Sequence, residues 1–541
     1  MRLPDMKYAD KIVKTTQVKF GGLNRCIGAK DGELVDMANL TSDHSPVLAT
    51  RPQRQLLRQL NNGGGLFAYE RLCWVDGETF YYDDRECGSV TAGKKSFASI
   101  GRWIVIMPDK CCFNVDSGKI VSMEAKWSGN SLTFTNGLRF EEDAAANTIV
   151  CEGVNWEDYF SAGDAVSIRG CSKHTSNNIS AVIRQIDGDK LYFSENIFVL
   201  DGDGTEGYTE EGLLRIERTM PDLIYICEHE NRLWGCTEDT IYASKPGDPF
   251  NWFVYDGLDS DCWALTPASA GRFTGIVSFR GYVTCFKEDI IYKIYGSVPS
   301  NFEAIGSATM GVANGCSRSL AIADETLFYL SRSGIVAYTG GIPQPIGQAF
   351  GTGRFTLATG GSDGLKYYVS MRDDDYRYRM YVYDTQVGEW HIEDYDCVTA
   401  FARLEGTLYF LNDHDEILVA RNDRKAPYDV VEQERPIAWM AEFSDFTEDD
   451  PNKKGVSKLQ IRFVLEEDAY MDVDIQFDSD GVWHHVRRIT GQGGKRSCYL
   501  PIIPRRCDHY RVRLSGEGGC QVYSMVRESY SGSETRSLPR R

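Results

Sequence analysis

The strongest constraint on this chain is a pattern that recurs along most of its length. Each unit has an apolar run, a turn with Gly, Asn or Asp, a second run rich in aromatic or β-branched residues, and another turn. Short runs of this kind between turn residues predict three or four antiparallel strands. Seven such units begin at Leu66, Phe97, Ile224, Phe273, Ser319, Thr356 and Val398.

The spacing of the units indicates the architecture. The later units follow one another at about 40 to 50 residues, the length of a four-stranded propeller blade. We therefore predict an all-β chain in which residues 61–430 form a β-propeller of six or seven blades. Propellers protect their sheet edges by closing the ring, usually with strands from both ends of the domain in one blade. Residues 1–60 are predicted to be a docking arm that supplies this closing strand.

Three further segments have their own signals. Residues 124–218, between the second and third units, contain strand and turn patterns that predict a small β-barrel inserted in a blade loop, where insertions are tolerated. Alternation returns after a charged, proline-containing linker, so residues 431–529 are predicted to form a C-terminal β-sandwich. The polar residues 530–541 are predicted to be a flexible tail.

Composition excludes several classes of protein. With 42% apolar and 12% aromatic residues, the chain is predicted to be globular. No run approaches the ~18 apolar residues of a membrane helix, and the first twenty residues lack a hydrophobic signal region, so we expect no membrane span and folding in a cytoplasm. The net charge of −19 argues against a basic groove that encloses nucleic acid. It is compatible with an acidic passage through which DNA slides without sticking.

The cysteines and histidines do not fall at metal-binding spacings. There are 16 cysteines and no C-x-x-C pair, so most are predicted to be buried thiols. The neighbours Cys111 and Cys112 are predicted to point to opposite faces of one strand. His484 and His485 flank a strand and are predicted to be structural or solvated. No metal and no cofactor is expected.

Short matches to catalytic or ligand-binding motifs have simpler explanations. Residues 202–207 fit G-x-G-x-x-G, but no helix pattern follows, so no helix N-terminus is available for a phosphate. The same acidic loop resembles the start of a calcium site, but Gly212 stands where the bidentate Glu is required. Residues 360–364 fit G-x-S-x-G, but a strand follows, which predicts a hairpin. Residues 479–483 resemble a sialidase Asp-box, and we predict a two-residue Asp-Gly hairpin there.

No catalytic residue is therefore predicted, and the chain is expected not to be an enzyme. One alternative stays open, because propellers can hydrolyse glycans with paired carboxylates near the central channel. The 78 acidic residues of the chain would form pairs by chance, and nothing in the sequence distinguishes one pair. Fold alone does not decide function.

Two segments carry a resemblance to a known family. The opening "FGG", followed by "GELVDMANLTSDHSPVLATRP", resembles the start of tailed-bacteriophage and prophage structural proteins, in which an arm with G-E-x-x-D-M-x-N and a terminal R-P precedes a β-propeller. The segment "NRLWGCTEDTIYASKPGDPFNW", residues 231–252, resembles a blade motif of the same proteins. The likeness extends from Phe20 to about Glu528.

This resemblance implies a virion protein, similar to tail hub, nozzle or packaged-DNA-stabilising proteins. It implies an oligomeric ring in the tail or neck around the DNA channel, assembled in the host bacterial cytoplasm. Its partners would be further copies of the chain, other tail, neck or portal-associated proteins, and DNA passing non-specifically. The alternative within this family is a tail-tip protein that binds or hydrolyses glycans.

The residues also suggest roles within the chain. In segment 231–252 we expect Trp234 and Tyr242 to fill the blade core and residues 246–249 to form a rigid turn. The arm and the tail are the segments expected to exchange contacts with neighbouring subunits, because both are polar and weakly self-sufficient. The sequence leaves open whether Arg25 and Asp36 face the propeller or a neighbouring subunit.

Overall fold

The computed structural model describes residues 12–139, 144–202, 207–420, 428–448, 453–503 and 505–531. Within these ranges the regular structure consists of β-strands and five short 3₁₀ helices, with no α-helix. The predicted residues 1–11 of the arm and 532–541 of the tail lie outside the described residues. The chain divides into two compact units, Asn62–Ser317 and the pair Met1–Asn61 with Arg318–Arg541.

The opening segment forms five short strands that pair with distant parts of the chain. They are β1 (Ile12–Gln17), β2 (Leu34–Ala38), β3 (Leu40–Thr41), β4 (Leu48–Thr50) and β5 (Gln55–Gln59). Of these five strands, β3 alone pairs with the strand that directly follows it, β4. Their partners are described below with the sheets that they complete.

The Asn62–Ser317 unit contains four successive four-stranded antiparallel sheets, which we number as blades one to four. Blade one has β6 (Gly63–Tyr69), β7 (Arg71–Asp76), β8 (Thr79–Tyr82) and β9 (Arg85–Ser89). Blade two has β10 (Ser96–Ile100), β11 (Trp103–Met107), β12 (Cys111–Asn114) and β13 (Lys119–Ser122). In each blade every strand pairs with the next one along the chain.

A separate sheet is inserted between blades two and three. Its strands are β14 (Ala125–Arg139), β15 (Ala144–Val150), β16 (Ala165–Arg169), β17 (Ser180–Val182), β18 (Gln185–Asp187), β19 (Lys190–Tyr192) and β20 (Tyr208–Arg218), in the order β17-β16-β20-β14-β15-β19-β18. The two end strands of this order are separated in the chain by only Ile183 and Arg184. The sheet therefore curves back on itself, around a core that contains Trp127 and Trp156, as expected for a small barrel.

Blades three and four follow the insert. Blade three has β21 (Tyr225–His229), β22 (Arg232–Cys236), β23 (Ile241–Ala243) and β24 (Trp263–Leu265). Blade four has β25 (Gly275–Phe279), β26 (Tyr282–Phe286), β27 (Ile290–Tyr295) and β28 (Glu303–Ala308).

Face-to-face packing explains why inner blade strands are apolar on both sides. On β11 and β12, Ile104 and Cys111 lie in a buried cluster with residues of blade one, whereas Val105 and Cys112 lie in a cluster with residues of blade three. Successive strand residues point to opposite faces, so a strand between two blades is buried on both faces. The prediction that the two cysteines face opposite sides is confirmed.

The other unit contains blades five to seven. Blade five has β29 (Ala321–Ala323), β30 (Thr326–Ser331), β31 (Gly334–Tyr338) and β32 (Gln344–Pro345); blade six has β33 (Thr356–Ser362), β34 (Lys366–Arg372), β35 (Tyr378–Asp384) and β36 (Glu389–Asp394). Blade seven has β37 (Val398–Leu404), β38 (Thr407–Asn412) and β39 (Glu416–Val419), followed by β5 of the arm and the short β40 (Glu432–Gln433). The opening segment thus supplies a strand to the last blade.

The same unit contains a sandwich of two sheets built from both ends of the chain. Its C-terminal strands are β41 (Ala438–Phe443), β42 (Lys454–Leu465), β43 (Tyr470–Phe477), β44 (His484–Thr490), β45 (Lys495–Pro501), β46 (Tyr510–Glu517) and β47 (Cys520–Ser531). One sheet has the order β3-β4-β47-β42-β45, with β1 also on β47, and the other has the order β2-β41-β46-β43-β44. The predicted range 431–529 therefore covers only part of the sandwich, because the arm strands β1 to β4 also belong to it.

The predicted fold class is confirmed. The chain is an all-β protein with seven successive blade sheets of a β-propeller, an inserted small barrel and a sandwich. Each of the seven sequence units begins within a few residues of the first strand of a blade. All 16 cysteines lie in the described ranges, none of them forms a disulfide, and ten are buried.

Candidate functional site, the docked arm

The arm begins with a close contact between two backbones. The Leu23 amide donates a hydrogen bond to the carbonyl oxygen of Trp390 in β36, at 2.7 Å. A Cβ atom at Gly22 would lie 2.4 Å from the same oxygen, so only glycine fits here without displacing backbone. Phe20, on the sandwich side, is buried with its ring centroid 5.9 Å from that of Phe443. The "FGG" sequence is therefore a docking element.

The G-E-x-x-D-M-x-N sequence is used almost entirely for docking. Gly32 has a φ of +90°, which favours glycine, and the Glu33 carboxylate accepts a hydrogen bond from the Asn24 side chain at 2.8 Å. Met37 is fully buried. The Asn39 side chain donates to the carbonyl of Ala438 at 2.7 Å and accepts from Arg51 at 2.9 Å. Met37, which pairs with Ala441, and Asn39 thus hold the arm on the sandwich, whereas Glu33 bonds within the arm.

Arg25 and Asp36 face blade six. The Arg25 Nη2 atom donates to the Asp36 Oδ1 atom at 2.8 Å, and Arg379 of β35 donates to the same oxygen at 3.3 Å. The Arg25 amide donates to the Ala349 carbonyl at 2.8 Å. Both residues therefore contact the propeller of their own chain.

Two arginines of "TRPQR" are buried in a network of carboxylates. Arg51, with 4% of its surface exposed, makes two hydrogen bonds to the Glu434 carboxylate, at 2.7 and 2.9 Å, and an ion pair with Asp394 at 3.4 Å. Arg54, with 3% exposed, forms ion pairs with Glu393 and Asp394, each at 3.3 Å. An arginine side chain buried this deeply is tolerated only when carboxylates pair with its charge.

Burial and charge act in opposite directions on the carboxylates of this network. Burial raises the pKa of Glu393, and the charge of Arg54 opposes this effect without cancelling it. Burial would also raise the pKa of Glu434, but the hydrogen bond and charge of Arg51, together with the backbone amide and charge of Arg54, outweigh burial and lower the pKa. Glu434 therefore remains ionised against Arg51.

A second polar cluster anchors the "TSDH" part of the arm on blade six. The Ser42 hydroxyl donates to Asp384 at 2.6 Å, and the Asp43 carboxylate accepts from the buried Lys366 ammonium at 2.5 Å. His391 of β36 is buried beside this cluster. Burial, together with the charge of Lys366, lowers the pKa of His391 to about 4, so the imidazole is neutral at pH 7.

The outermost strand of the arm is attached more lightly. On β1, the side chains of Ile12 and Val13 are 60% and 40% exposed, and among the strands that the structure describes β1 pairs with β47 alone. The Thr15 hydroxyl donates to Glu448 at 2.7 Å. Glu448 also accepts from the fully buried Arg527 at 2.7 Å. One side-chain hydrogen bond thus connects β1 to a buried ion pair.

A cleft of about 640 Å³ lies beside the anchored arm within the same unit. Its lining includes His44, Arg51, Gln433, Glu466 and Cys520. The Arg51 guanidinium is already bonded to carboxylates, and Glu466 accepts from the Gly519 amide at 3.1 Å. Arg51 and Glu466, two charged groups in the cleft wall, therefore already have partners within the protein.

The short motifs of the sequence lie in turns where the structure describes them. Residues 360–362 end β33, and residues 363–365 connect it to β34 as a hairpin. Residues 478–483 connect β43 and β44, so the predicted two-residue hairpin is wrong and the loop has six residues, with Asp478 and Ser479 both at positive φ. Of the G-x-G-x-x-G segment, residues 203–206 lie outside the described residues. The prediction that no calcium binds there stays a prediction.

One group of three possible metal ligands occurs in the described part of the chain. Asp478, Asp508 and His509 have ligand atoms within 4.8 Å of one another. Asp478 accepts from the Asp508 amide at 2.8 Å, and the His509 Nδ1 atom is 2.5 Å from Asp508. Internal hydrogen bonds account for this grouping. Across the described ranges, we find no helix with the length and apolar character to span a membrane.

Segment 231–252 has a second role besides forming blade three. Trp234 is buried in the cluster shared with blade four, and Tyr242 packs against the other cluster. In the turn, Gly247 has a φ of +71°. Asn251 accepts from the Ala165 amide at 2.9 Å and donates to Asp164 at 3.2 Å. The segment therefore also holds the inserted barrel, a contact that blade periodicity alone does not predict.

Comparisons with known proteins return structures of low similarity. No family model and no curated sequence matches the chain. BamB from Moraxella catarrhalis is 9% identical, with a TM-score of 0.31 over 70% of this chain and 99% of that chain. Raptor from Chaetomium thermophilum is 11% identical, with a TM-score of 0.28 over 68% of this chain and 30% of that chain. At these scores the comparisons do not bear on function, and the fold follows from the sheets themselves.

Proposed function

We propose that the chain is a non-enzymatic structural component of a tailed-phage virion. It forms an oligomeric ring in the tail, in the hub, nozzle or neck region, around the DNA channel, and it helps to retain or conduct DNA. Rings of identical subunits use heterologous interfaces, in which two different surfaces of one subunit meet.

One observation carries the proposal. The sequence that resembles phage structural proteins is the sequence that docks the arm, from Gly22 against Trp390 to Arg51 between Asp394 and Glu434. Residues used in this way stabilise the fold, and no catalytic role is needed to explain them. The resemblance and the contacts therefore support the same role, a rigid subunit for assembly.

The attachment of β1 supports exchange of contacts at the outer end of the arm. Val13 and Val18 are 40% and 54% exposed, and β1 covers one part of the β47 edge through backbone pairing. A strand with little buried side-chain area can leave this edge at low cost. We expect this end of the arm to contact a neighbouring subunit in the assembled ring.

Electron microscopy of particles tests the proposal directly. A chain lacking residues 1–19, expressed in place of the full chain, is expected to fold and to be absent from purified particles, whereas the full chain is present at a small fixed copy number. Rings of six- or twelve-fold symmetry are the expected appearance. Normal incorporation of the truncated chain would refute the role of the arm, and absence of the full chain from particles would refute the proposal itself.

A glycan assay separates this proposal from the enzymatic alternative. Purified full-length chain is expected to release no product from bacterial surface glycans, with a known glycosidase as the positive control. Turnover that disappears on changing one channel carboxylate, while incorporation into particles continues, would favour the glycan-hydrolysing protein instead.

A further inference from the structure

One segment of the sandwich has a charge opposite to that of the whole chain. Residues 484–513 contain eight arginines or lysines and a single acidic residue, Asp508, in a chain with a net charge of −19. The segment covers β44, β45 and the start of β46. The averaged charge of the chain conceals this segment, so the sequence-based argument against a basic surface does not apply locally.

The segment lies at one side of the sandwich. β44 is the end strand of one sheet and β45 is the end strand of the other, and a four-residue turn, 491–494, joins them. Most of their side chains are exposed, including Arg487, Lys495 and Arg496.

Several cations of this region are already neutralised. Arg488 forms an ion pair with Asp472 at 2.6 Å, and Arg513 forms one with Asp474 at 3.0 Å. Other cations have no carboxylate partner among the described residues. We call them together the basic face: Lys458, Arg462 and Lys495 lie on one strand pair, and the exposed Arg487 and Arg496, which pair with the buried Val473 and Phe463, lie on the end strands beside them.

Three members of the basic face share the outer surface of one sheet. Arg462 of β42 pairs with Ser497 of β45, and Val464 pairs with Lys495. Directly paired residues project from the same side of a sheet. Gln460 lies between Lys458 and Arg462 on β42, and its side chain donates a hydrogen bond of 2.9 Å to Ser497, which confirms that this row projects from the same side as Ser497. Lys458, Arg462 and Lys495 therefore project from the same side.

Aromatic rings accompany these cations. The Lys458 Nζ atom lies 4.7 Å from the ring centroid of Tyr499, and the Lys495 Nζ atom lies 3.6 Å from that of Tyr523. Tyr499 is 55% exposed. A sheet surface that has cations without carboxylate partners beside an exposed aromatic ring has the chemistry that binds nucleic-acid backbones and stacks on bases.

Protection of sheet edges explains only part of the basic face. Charged residues on end strands prevent sheets from pairing edge to edge, and Arg487 and Arg496 are on such strands. Lys458 and Arg462 are on β42, which lies between β45 and β47. Cations at the interior of a sheet do not protect an edge, so they require another explanation.

We propose that the basic face binds the phosphodiester backbone of nucleic acid without reading its sequence. This inference rests on the proposed function only for the identity of the polymer, which would be the DNA that passes through the tail. The chemistry of the contact does not depend on that function, because cations without carboxylate partners displace the counterions of the phosphates. The adjacent tyrosines favour nucleic acid over an acidic protein, which has no base to stack on them.

Fluorescence anisotropy with the full-length protein and a DNA duplex of about 30 base pairs tests the inference, because a duplex of this length presents many phosphates. We expect binding to weaken on the order of a hundred-fold between about 50 and 200 mM NaCl if four phosphates are contacted. The variant K458A/R462A/R487A/K495A/R496A is expected to bind at least about ten-fold more weakly than wild type at the lower salt concentration.

A matched control removes five exposed cations elsewhere. The variant R85A/K94A/K119A/R215A/R354A has the same net charge as the first variant, and all five of its positions are exposed. It is expected to bind within about two-fold of wild type, because net charge alone then has little effect. Equal loss in both variants, or no binding by wild type, would overturn the inference.

A competitor and single substitutions complete the test. Polyglutamate is expected to compete weakly, and competition as strong as that of DNA would show that the face accepts acidic protein, which contradicts the inference. If the fivefold variant fails to fold, K458A and K495A are measured separately, and each is expected to reduce the salt slope by about one. Incorporation of the fivefold variant into particles, measured in parallel, distinguishes failure of DNA binding from failure of the proposed function.

Discussion

The two ends of the arm contact the same unit in different ways. Residues 39–54 place the cations of Arg51 and Arg54 in the interior, among carboxylates of blade six and the linker. Residues 12–17 lie along β47 with exposed side chains. The first part is inseparable from the fold, because its removal would leave buried charges unpaired. The second part is held mainly by backbone hydrogen bonds and can be exchanged.

The largest expected effect is at the buried part. Substitution R51A would remove the cation that is bonded to Glu434 and leave Asp394 with Arg54 alone, and we expect a loss of about 3–5 kcal/mol in the free energy of unfolding. The matched change K14A removes an exposed ion pair of β1 with Glu528 and is expected to cost less than about 1 kcal/mol. Urea denaturation measures both. Similar losses for the two variants would remove the contrast between the ends of the arm.

Acid should weaken the contact of the arm with blade six through His391. Its pKa is about 4 in the folded protein and 6.5 ordinarily, so between these values the unfolded chain binds the extra proton. Unfolding is therefore favoured as the pH falls from about 6.5 to about 4, by roughly 3 kcal/mol in total, and no further below that.

The variant H391Q isolates this effect. Other groups of the cluster titrate in both proteins, so the difference in unfolding free energy between wild type and H391Q, measured by urea denaturation at several pH values, reports His391 alone. We expect this difference to shift against wild type as the pH falls from 6.5 to 4. A difference that is independent of pH would contradict the assignment of a neutral, buried imidazole.

A smaller effect is expected at the start of the docking sequence. Substitution G22A places a methyl group against the Trp390 carbonyl and is expected to cost about 1–3 kcal/mol. G28A is the control, since no atom lies within 4 Å of the new methyl group, and we expect it to be neutral or slightly stabilising. Thermal unfolding followed by circular dichroism compares the two, and an equal shift in Tm would argue against close backbone packing at Gly22.

The smallest effect on stability is expected at β1. Deletion of residues 1–19 removes the hydrogen bond from Thr15 to Glu448 and the pairing with β47. We expect a net cost of about 1 kcal/mol, because few side chains of β1 are buried and the conformational entropy of the released strand offsets most of its hydrogen bonds. Urea denaturation of the truncated chain checks this value, and a loss as large as that of R51A would show that β1 is an integral part of the sandwich.

The blades could be predicted because each one carries its full signal in consecutive residues. Blade two needs only residues 96–122, and all of its pairings are local. The sandwich was predicted without its arm strands because three of the four, β2, β3 and β4, have only two to five residues. A strand of two residues has no detectable periodicity, and β2 pairs with residues about 400 positions away.

The site was harder to predict than the fold, for a related physical reason. Arg51 and Arg54 are adjacent in sequence to polar residues, and their burial depends on carboxylates at positions 393, 394 and 434. The basic face is divided between β42, β44 and β45 and is outweighed by acidic residues elsewhere. Local counting of charge along residues 484–513 is the signal that could have revealed it.

The position of β5 has a consequence for synthesis on the ribosome. Gln59 of β5 pairs with Glu416 of β39, so its partner strand is made about 360 residues later, roughly 20–70 s at ordinary rates of translation. During this delay the edge of β5 is available for incorrect pairing, and blade seven cannot be completed. A nascent chain that stops before residue 416 lacks this partner strand, so only nearly full-length products can offer a finished subunit to a growing particle.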